Sequence, residues 1–191
     1  MQVSGTYRIK ATPQKVWDAL FDPDVLRRCI PGCEDVQRVS PTQFTAAVVL
    51  KVGPVKAKFA GKVSLSDLDA PRACRMTGEG SGGVAGFAKG IADLKLAPDG
   101  SATVLNYTAD AQIGGKLAQL GSRVVEGTTR KLADEFFSKF ADAVGGRGAT
   151  GDDEAAATTK STATPARDGR WKMLAAAVVL AIAAIGLWLA A

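Results

Sequence analysis

Histidine is absent from the 191-residue sequence. Because histidine is the commonest general base and metal ligand near neutral pH, its absence excludes serine–histidine and cysteine–histidine pairs and histidine-ligated metal sites. The carboxylates are scattered, with no obvious buried pair at strand or helix spacing, and we interpret them as solvated surface groups. We therefore expect no catalytic residue and no metal site, while catalysis by a lysine or a carboxylate stays open.

Cysteine is scarce as well. The sequence contains only Cys29, Cys33 and Cys74, an odd number, and the spacing of the first two is not that of a zinc finger. We interpret all three as small apolar residues of the core.

Basic residues exceed acidic ones only mildly, 24 against 19, for a net charge of +5. That excess suits an anionic membrane surface or an acidic partner and is too weak to indicate nucleic-acid binding. The glycine-rich stretch GEGSGGVAGFAKG, at residues 78–90, lacks the spacing and the following helix of a phosphate-binding loop. We predict a β-bulge, a flexible hairpin or a mobile lip over a cavity instead.

An uncharged apolar run ends the sequence. Met173–Ala191 is 19 residues long and as a helix would span about 28 Å, close to the thickness of a bilayer core. A buried core helix would have a polar face, and this run has none. Trp171 and Trp188 lie near its ends, and basic residues precede it. We predict a single-pass membrane anchor at residues 171–190, with the N-terminal domain in the cytoplasm.

Small polar residues without periodicity fill residues 145–170. They predict a disordered linker, with an r.m.s. span of about 28 Å and an extended reach of about 85 Å. Residues 1–144 then form one domain.

Hydrophobic periodicity divides that domain into strands and helices. Alternation predicts a strand at residues 2–10, and two short helices follow, the first with Thr12 as its N-cap and the second ending before Pro31. Helical spacing predicts one long helix at residues 117–144. Six further strands are predicted between the short helices and the long one, at Asp35–Ser40, Gln43–Val52, Val55–Leu68, Ala73–Gly80, Phe87–Leu96 and Ala102–Ile113.

This order predicts an α+β fold in which a curved antiparallel sheet wraps around a long C-terminal helix. One helix is about 10 Å wide and cannot cover seven strands completely, so we expect an apolar cavity between them. Several residues expected to face it are small, namely Ala46, Ala57, Gly61 and Ala92. Ordinary core packing is the alternative for each candidate lining residue. The candidates are Phe21, Leu26, Phe59, Val63, Met76, Phe87, Tyr107, Leu120 and Val124.

Lysines occupy one face of the strand VKAKFAGKVSL. Lys56, Lys58 and Lys62 alternate with apolar residues of the opposite face. They are either a solvated sheet face that discourages edge pairing or a docking patch for an acidic partner or lipid headgroups.

Three segments resemble the CoxG family, the G subunit of carbon monoxide dehydrogenase. They are VWDALFDPDVLRRCIPGCE at residues 16–34, KVGPVKAKFAGKVSL at 51–65 and GGKLAQLGSRVVEGTTRKLADEFF at 114–137. The resemblance implies the helix-grip fold of the START/Bet v1-like (SRPBCC) superfamily. It also implies a non-enzymatic accessory protein that attaches a carbon monoxide dehydrogenase-type molybdenum hydroxylase to the membrane and couples it to respiratory quinone.

Together with the predicted anchor, the resemblance suggests that this protein recruits such an enzyme and binds quinone, or another hydrophobic ligand, in its cavity. The Tyr107 hydroxyl could then donate a hydrogen bond to a quinone carbonyl. A carrier of lipids or small hydrophobic molecules without a redox partner is the alternative. An enzyme is a third interpretation, since related folds include cyclases and hydratases.

Overall fold

The computed structural model describes residues 1–145. The predicted anchor and, apart from Gly145, the predicted linker lie outside the described residues. Within residues 1–145, no helix is both long and apolar enough to cross a membrane.

A single antiparallel sheet of seven strands forms the frame, in the order β1-β7-β6-β5-β4-β3-β2. Consecutive strands between β2 and β7 are joined by short connections, as the turn signals at Pro41, Gly53, Pro71 and Gly100 predict. The prediction of an antiparallel sheet is confirmed, and strand ends differ from it by three residues or fewer. The strands are β1 (Gln2–Ile9), β2 (Cys33–Ser40), β3 (Gln43–Val52), β4 (Val55–Asp69), β5 (Ala73–Ser81), β6 (Phe87–Asp99) and β7 (Ala102–Gly114).

Two short helices, α1 (Pro13–Leu20) and α2 (Pro23–Cys29), follow β1. Thr12 caps α1 as predicted, its hydroxyl accepting from the Lys15 amide at 3.4 Å. The Asp22 carboxylate caps α2 by accepting from the amides of Asp24 and Val25. Each helix therefore begins with a capped amide and a proline at its first position.

The predicted long helix is two helices, α3 (Lys116–Gln119) and α4 (Ser122–Gly145). Gly121, with φ of +85°, separates them in the left-handed region, where no α-helix can continue. The prediction of one continuous helix was wrong at this point. Leu117, Leu120 and Val124 keep helical spacing across Gly121, so the hydrophobic pattern does not reveal the break.

The core lies between the sheet and α4. Phe136, Phe137 and Phe140 of α4 are almost fully buried, and each such side chain contributes roughly 1.5–3 kcal/mol on burial. The buried Thr103 hydroxyl of β7 donates to the Ala11 carbonyl at 2.7 Å, which ties the sheet to the entry of α1.

The glycine-rich stretch is a hairpin connection. β5 continues through Gly78 and Gly80, and a short 3-10 helix at Gly83–Ala85 leads into β6. Gly86 has φ of +117°, and a Cβ there would lie 2.1 Å from the Gly114 carbonyl oxygen. Glycine at this position therefore allows two segments of backbone to touch.

The connections lie at two opposite ends of the sheet. One end carries the β3–β4 turn, the β5–β6 connection and the link from β7 to α4. The opposite end carries the β2–β3, β4–β5 and β6–β7 turns. α4 also ends there, since a Cβ on Gly145 would lie 3.5 Å from the Lys10 carbonyl oxygen.

Candidate functional site

An apolar pocket, here called the α4 pocket, lies between the first half of α4 and the strand ends of the sheet. It has a volume of about 20 Å³. Thr128 and Thr129 bring the only hydroxyls of its lining, and both donate within α4, to the carbonyls of Val124 and Val125. The lining residues are Leu50, Val52, Phe59, Ala88, Ile113, Leu117, Val125, Thr128, Thr129 and Leu132.

A second apolar pocket, the α1–α2 pocket, lies where the short helices cover β2 to β5. Its volume is about 30 Å³. Phe21 forms one wall, and its ring lies 6.2 Å from that of Phe44 and 5.0 Å from that of Trp17, measured between centroids. The lining residues are Leu20, Phe21, Leu26, Val36, Phe44, Thr45, Ala46, Val63, Leu65 and Met76.

The two apolar pockets replace the single large cavity that the sequence suggested. A volume of 20–30 Å³ holds a water molecule or two, whereas pockets for small-molecule ligands measure about 300–1,000 Å³. Aromatic side chains of α4 and of β1 and β7 fill the remainder of the interior. A ligand with a ring would therefore have to part α3 and the start of α4 from the sheet.

The structure divides the predicted lining residues between these pockets. Phe21, Leu26, Val63 and Met76 line the α1–α2 pocket, and Phe59 lines the α4 pocket. Their role in binding a ligand stays a prediction.

Two predicted lining residues face away from the interior. Phe87 is 48% exposed and lies on the outer face of the sheet, because Ala88, its neighbour, takes the inward position of β6. Val124 is 42% exposed, and Val125 takes the buried position instead. Val124 and the half-buried Leu120 pack against the β3–β4 turn, where a Cβ on Gly53 would lie 3.4 and 3.9 Å from them.

Sequence reasoning missed most of the α4 pocket. Leu50 and Val52 belong to an alternation along β3 in which every second residue is buried. Val125, Thr129 and Leu132 are spaced four and three residues apart, as one helix face requires. Both signals are present in the sequence. The predicted helix face ran from Leu117 through Leu120 to Val124, whereas the break at Gly121 turns Val125 towards the pocket in place of Val124.

Tyr107 lies in an aromatic cluster rather than in either pocket lining. Its ring stacks with Tyr7 and Phe137 at centroid distances of 6.3 and 5.7 Å. The Tyr107 hydroxyl is buried and has no hydrogen-bond partner within residues 1–145, while the Tyr7 hydroxyl donates to Asp134 at 2.9 Å. Burial is the main cause that raises the pKa of Tyr107. The pKa of Tyr7 is also raised, mainly by burial and to a smaller extent by the hydrogen bond to Asp134.

The three predicted docking lysines are exposed on the outer face of the sheet, as the alternation predicts. Lys58 forms an ion pair with Glu34 at 2.6 Å, and within residues 1–145 Lys56 and Lys62 have none. Lys62 borders a larger open concavity of about 680 Å³, together with Glu79 and Lys89.

The cysteines lie in the core as expected. Cys29 and Cys74 are buried and Cys33 is half-buried, and none forms a disulfide within the described chain. Burial raises the pKa of the Cys74 thiol to about 11, so this thiol is unreactive at neutral pH. Across residues 1–145, no group of three or more acidic or cysteine side chains could hold a metal ion.

Comparison with known sequences places nearly all of the described domain in one family. The profile of the family described as the G subunit of carbon monoxide dehydrogenase (CoxG) matches residues 5–145. No curated protein sequence matches the chain significantly.

Solved structures share the fold. A conserved protein from Geobacillus kaustophilus superposes with a TM-score of 0.71 at 29% identity, over 75% of this chain and 95% of that one. A Thermus thermophilus protein gives a TM-score of 0.59 at 15% identity, over 75% and 97%. The Zhui aromatase/cyclase from Streptomyces sp. R1128 gives 0.58 at 14% identity, over 75% and 93%. These solved structures thus share the helix-grip fold of the described domain.

Proposed function

The chain belongs to the CoxG family of carbon monoxide dehydrogenase, and we propose that it is an accessory protein which recruits a carbon monoxide dehydrogenase-type molybdenum hydroxylase to the cytoplasmic membrane. The observation that carries the proposal is the family match over residues 5–145, which spans nearly the whole helix-grip domain. The uncharged run at residues 173–191 supports a membrane location, with the domain on the cytoplasmic side.

Quinone binding is the finer part of the proposal, and the α4 pocket is its site. The pocket has an apolar surface, since both threonine hydroxyls of its lining donate within α4. It lies beside the break at Gly121, where α3 and the start of α4 meet. A quinone has little solubility in water, since each buried methylene contributes about 0.8 kcal/mol. A domain tethered beside the bilayer would hold this ligand close to both its lipid pool and the recruited enzyme.

A carrier of lipids or small hydrophobic molecules without a redox partner is the second candidate, and the apolar lining of both pockets favours it equally. An enzymatic role is the third, because the Streptomyces neighbour is an aromatase/cyclase. We propose a non-enzymatic role: the lining of the α4 pocket offers two threonine hydroxyls and no ionisable group.

Recruitment is tested by removing residues 146–191 in the native host. We expect the partner enzyme to leave the membrane fraction and quinone reduction to fall, while the enzyme's activity with a soluble electron acceptor is unchanged. Unchanged membrane association and unchanged quinone reduction would refute the recruitment role.

Quinone binding is tested by filling one pocket at a time. Ala88→Leu fills the α4 pocket and Ala46→Leu fills the α1–α2 pocket, from alanines of similar burial, so both substitutions carry a similar overpacking cost of about 1–3 kcal/mol. We expect quinone co-purifying with the full chain, measured by mass spectrometry, to drop only in Ala88→Leu. Equal loss in both variants would point to general destabilisation, and no quinone in the parent would leave recruitment alone.

A further inference from the structure

One end of the molecule carries an uneven share of the charge. Three segments meet there, at residues 51–56, 82–89 and 114–124, and we call them together the basic end. They contain five basic residues and no acidic one, whereas the rest of residues 1–144 contains 14 basic and 15 acidic residues. The five basic residues, all exposed, are Lys51, Lys56, Lys89, Lys116 and Arg123.

The three segments form one continuous surface. The β3–β4 turn contacts the α3–α4 junction, since a Cβ on Gly53 would lie 3.4 Å from Val124. The β5–β6 connection contacts the end of β7, since a Cβ on Gly115 would lie 2.5 Å from the Gly86 Cα. The charges are therefore gathered on one end rather than spread along the chain.

Apolar side chains project from the same surface. Val84 is 86% exposed on a glycine-flanked turn, and Phe87 and Val124 are 48% and 42% exposed. These are three of the six large apolar side chains that are exposed within residues 1–145. None of the three lines either apolar pocket.

Two of the cations at the opposite end are neutralised by carboxylates. Arg8 pairs with Asp99 at 2.6 Å and Arg72 pairs with Asp69 at 2.7 Å. Within residues 1–145, none of the five cations of the basic end forms an ion pair. Their charge is thus available to an external anion.

We propose that the basic end docks on an anionic lipid surface, with Val84 and Phe87 entering the headgroup region among the lysines. Clustered basic residues bind such surfaces electrostatically, and exposed apolar side chains add burial in the interface. The inference rests on the proposed membrane location and adds to it an orientation for the domain. The uncharged run at residues 173–191 supplies the reason that lipid, rather than an acidic protein, is within reach.

This orientation places the α4 pocket next to the bilayer. Leu117 and Val125 line the pocket from α3 and α4, directly behind the surface that carries Lys116 and Val124. A hydrophobic ligand that moves between lipid and pocket would then cross a single layer of side chains.

The test uses the full chain reconstituted into liposomes with a polarity-sensitive fluorophore at Val84→Cys. Ser101→Cys, an exposed position of the opposite end, is the matched control, and the labelled parent gives the baseline from the native thiols. Liposomes of phosphatidylcholine alone are compared with liposomes that also contain phosphatidylglycerol, and brominated lipids report contact with the bilayer.

We expect quenching of the Val84→Cys label in anionic liposomes only, and none of the Ser101→Cys label. The triple charge reversal Lys51→Glu, Lys116→Glu and Arg123→Glu should lower the ratio of docked to undocked domain by at least about tenfold. The reversal Lys10→Glu, Lys15→Glu and Lys131→Glu, at exposed positions elsewhere, changes the net charge equally and should have little effect.

Anchoring is measured separately, by co-sedimentation after a carbonate wash. Docking is refuted if the chain stays with the liposomes while the Val84→Cys label remains in water, or if neutral lipid quenches that label equally. Quenching in anionic liposomes by a chain that the wash removes supports docking and refutes the anchor instead. Protection that requires the partner enzyme would make the basic end a protein interface and overturn the proposal.

Discussion

At the scale of single residues, the two tyrosines and Gly32 are constrained by their surroundings in the fold. The protein has two tyrosines, and both belong to the buried cluster beside Phe137. Burial raises both pKa values above the ordinary 10, so each native hydroxyl keeps its proton where the unfolded chain has lost it. The contribution of the two tyrosines to the free energy of unfolding is therefore fully present below pH 10 and is lost as the pH rises above 10.

We expect no tyrosinate absorbance from the native chain at pH 10–11, and a fall in unfolding free energy of about 1.4 kcal/mol per pH unit for each tyrosine above pH 10. The measurement is an ultraviolet pH titration of the full chain, with the urea-unfolded chain as control. Native tyrosines that titrate near pH 10 with the fold intact would contradict the buried cluster.

Gly32 is the second constrained residue, because a Cβ there would lie 2.1 Å from the Val49 carbonyl oxygen at φ of +70°. Gly100 has a similar φ of +61° with nothing within 4 Å, which makes it the matched control. We expect Gly32→Ala to cost more than about 2 kcal/mol and Gly100→Ala about 1 kcal/mol. Urea unfolding of the full chain in mild detergent measures both, and equal costs would mean that the contact with Val49 relaxes freely.

At the scale of elements, α4 has two unequal halves. Its second half is held by Phe136, Phe137 and Phe140 and by contact with α2. Its first half lies over the α4 pocket and contains Gly127, which has open space around it. The half of α4 that would move to admit a ligand is thus the less firmly packed one.

Alanine at position 127 should stabilise α4 by about 0.5–1 kcal/mol, because glycine loses more backbone entropy in a helix interior. Alanine at the uncrowded Gly121 should instead destabilise by about 1 kcal/mol, because its φ of +85° disfavours any Cβ. Hydrogen exchange of the α4 amides and thermal unfolding measure both variants. Stabilisation by Gly121→Ala would mean that α3 and α4 can merge into one helix.

At the scale of the whole molecule, the sequence predicts the architecture and not the interior. Strand faces follow from alternation, as in β4, where Phe59, Val63 and Leu65 are buried as expected. In β6 the larger apolar residues Phe87 and Ile91 face outwards, while Ala88 and Ala92 face inwards. Residue size therefore misleads there, and only the strand register identifies the buried face.

The pockets were beyond prediction for a related reason. Each pocket is enclosed by residues that are far apart in sequence, as where Leu50 of β3 and Leu132 of α4 line the α4 pocket together. Likewise, the charge segregation of the basic end appears only when three distant segments are folded together.

The position of the last domain residue sets a minimum length for the linker that follows it. Gly145 lies beside Lys10, at the end opposite the basic end, and the 24 residues of α4 extend for about 36 Å. A chain that docks through its basic end must run back over that length, which takes at least about 11 extended residues. A linker below this minimum would leave the opposite end of the domain, which carries the Arg8–Asp99 and Arg72–Asp69 ion pairs, facing the lipid.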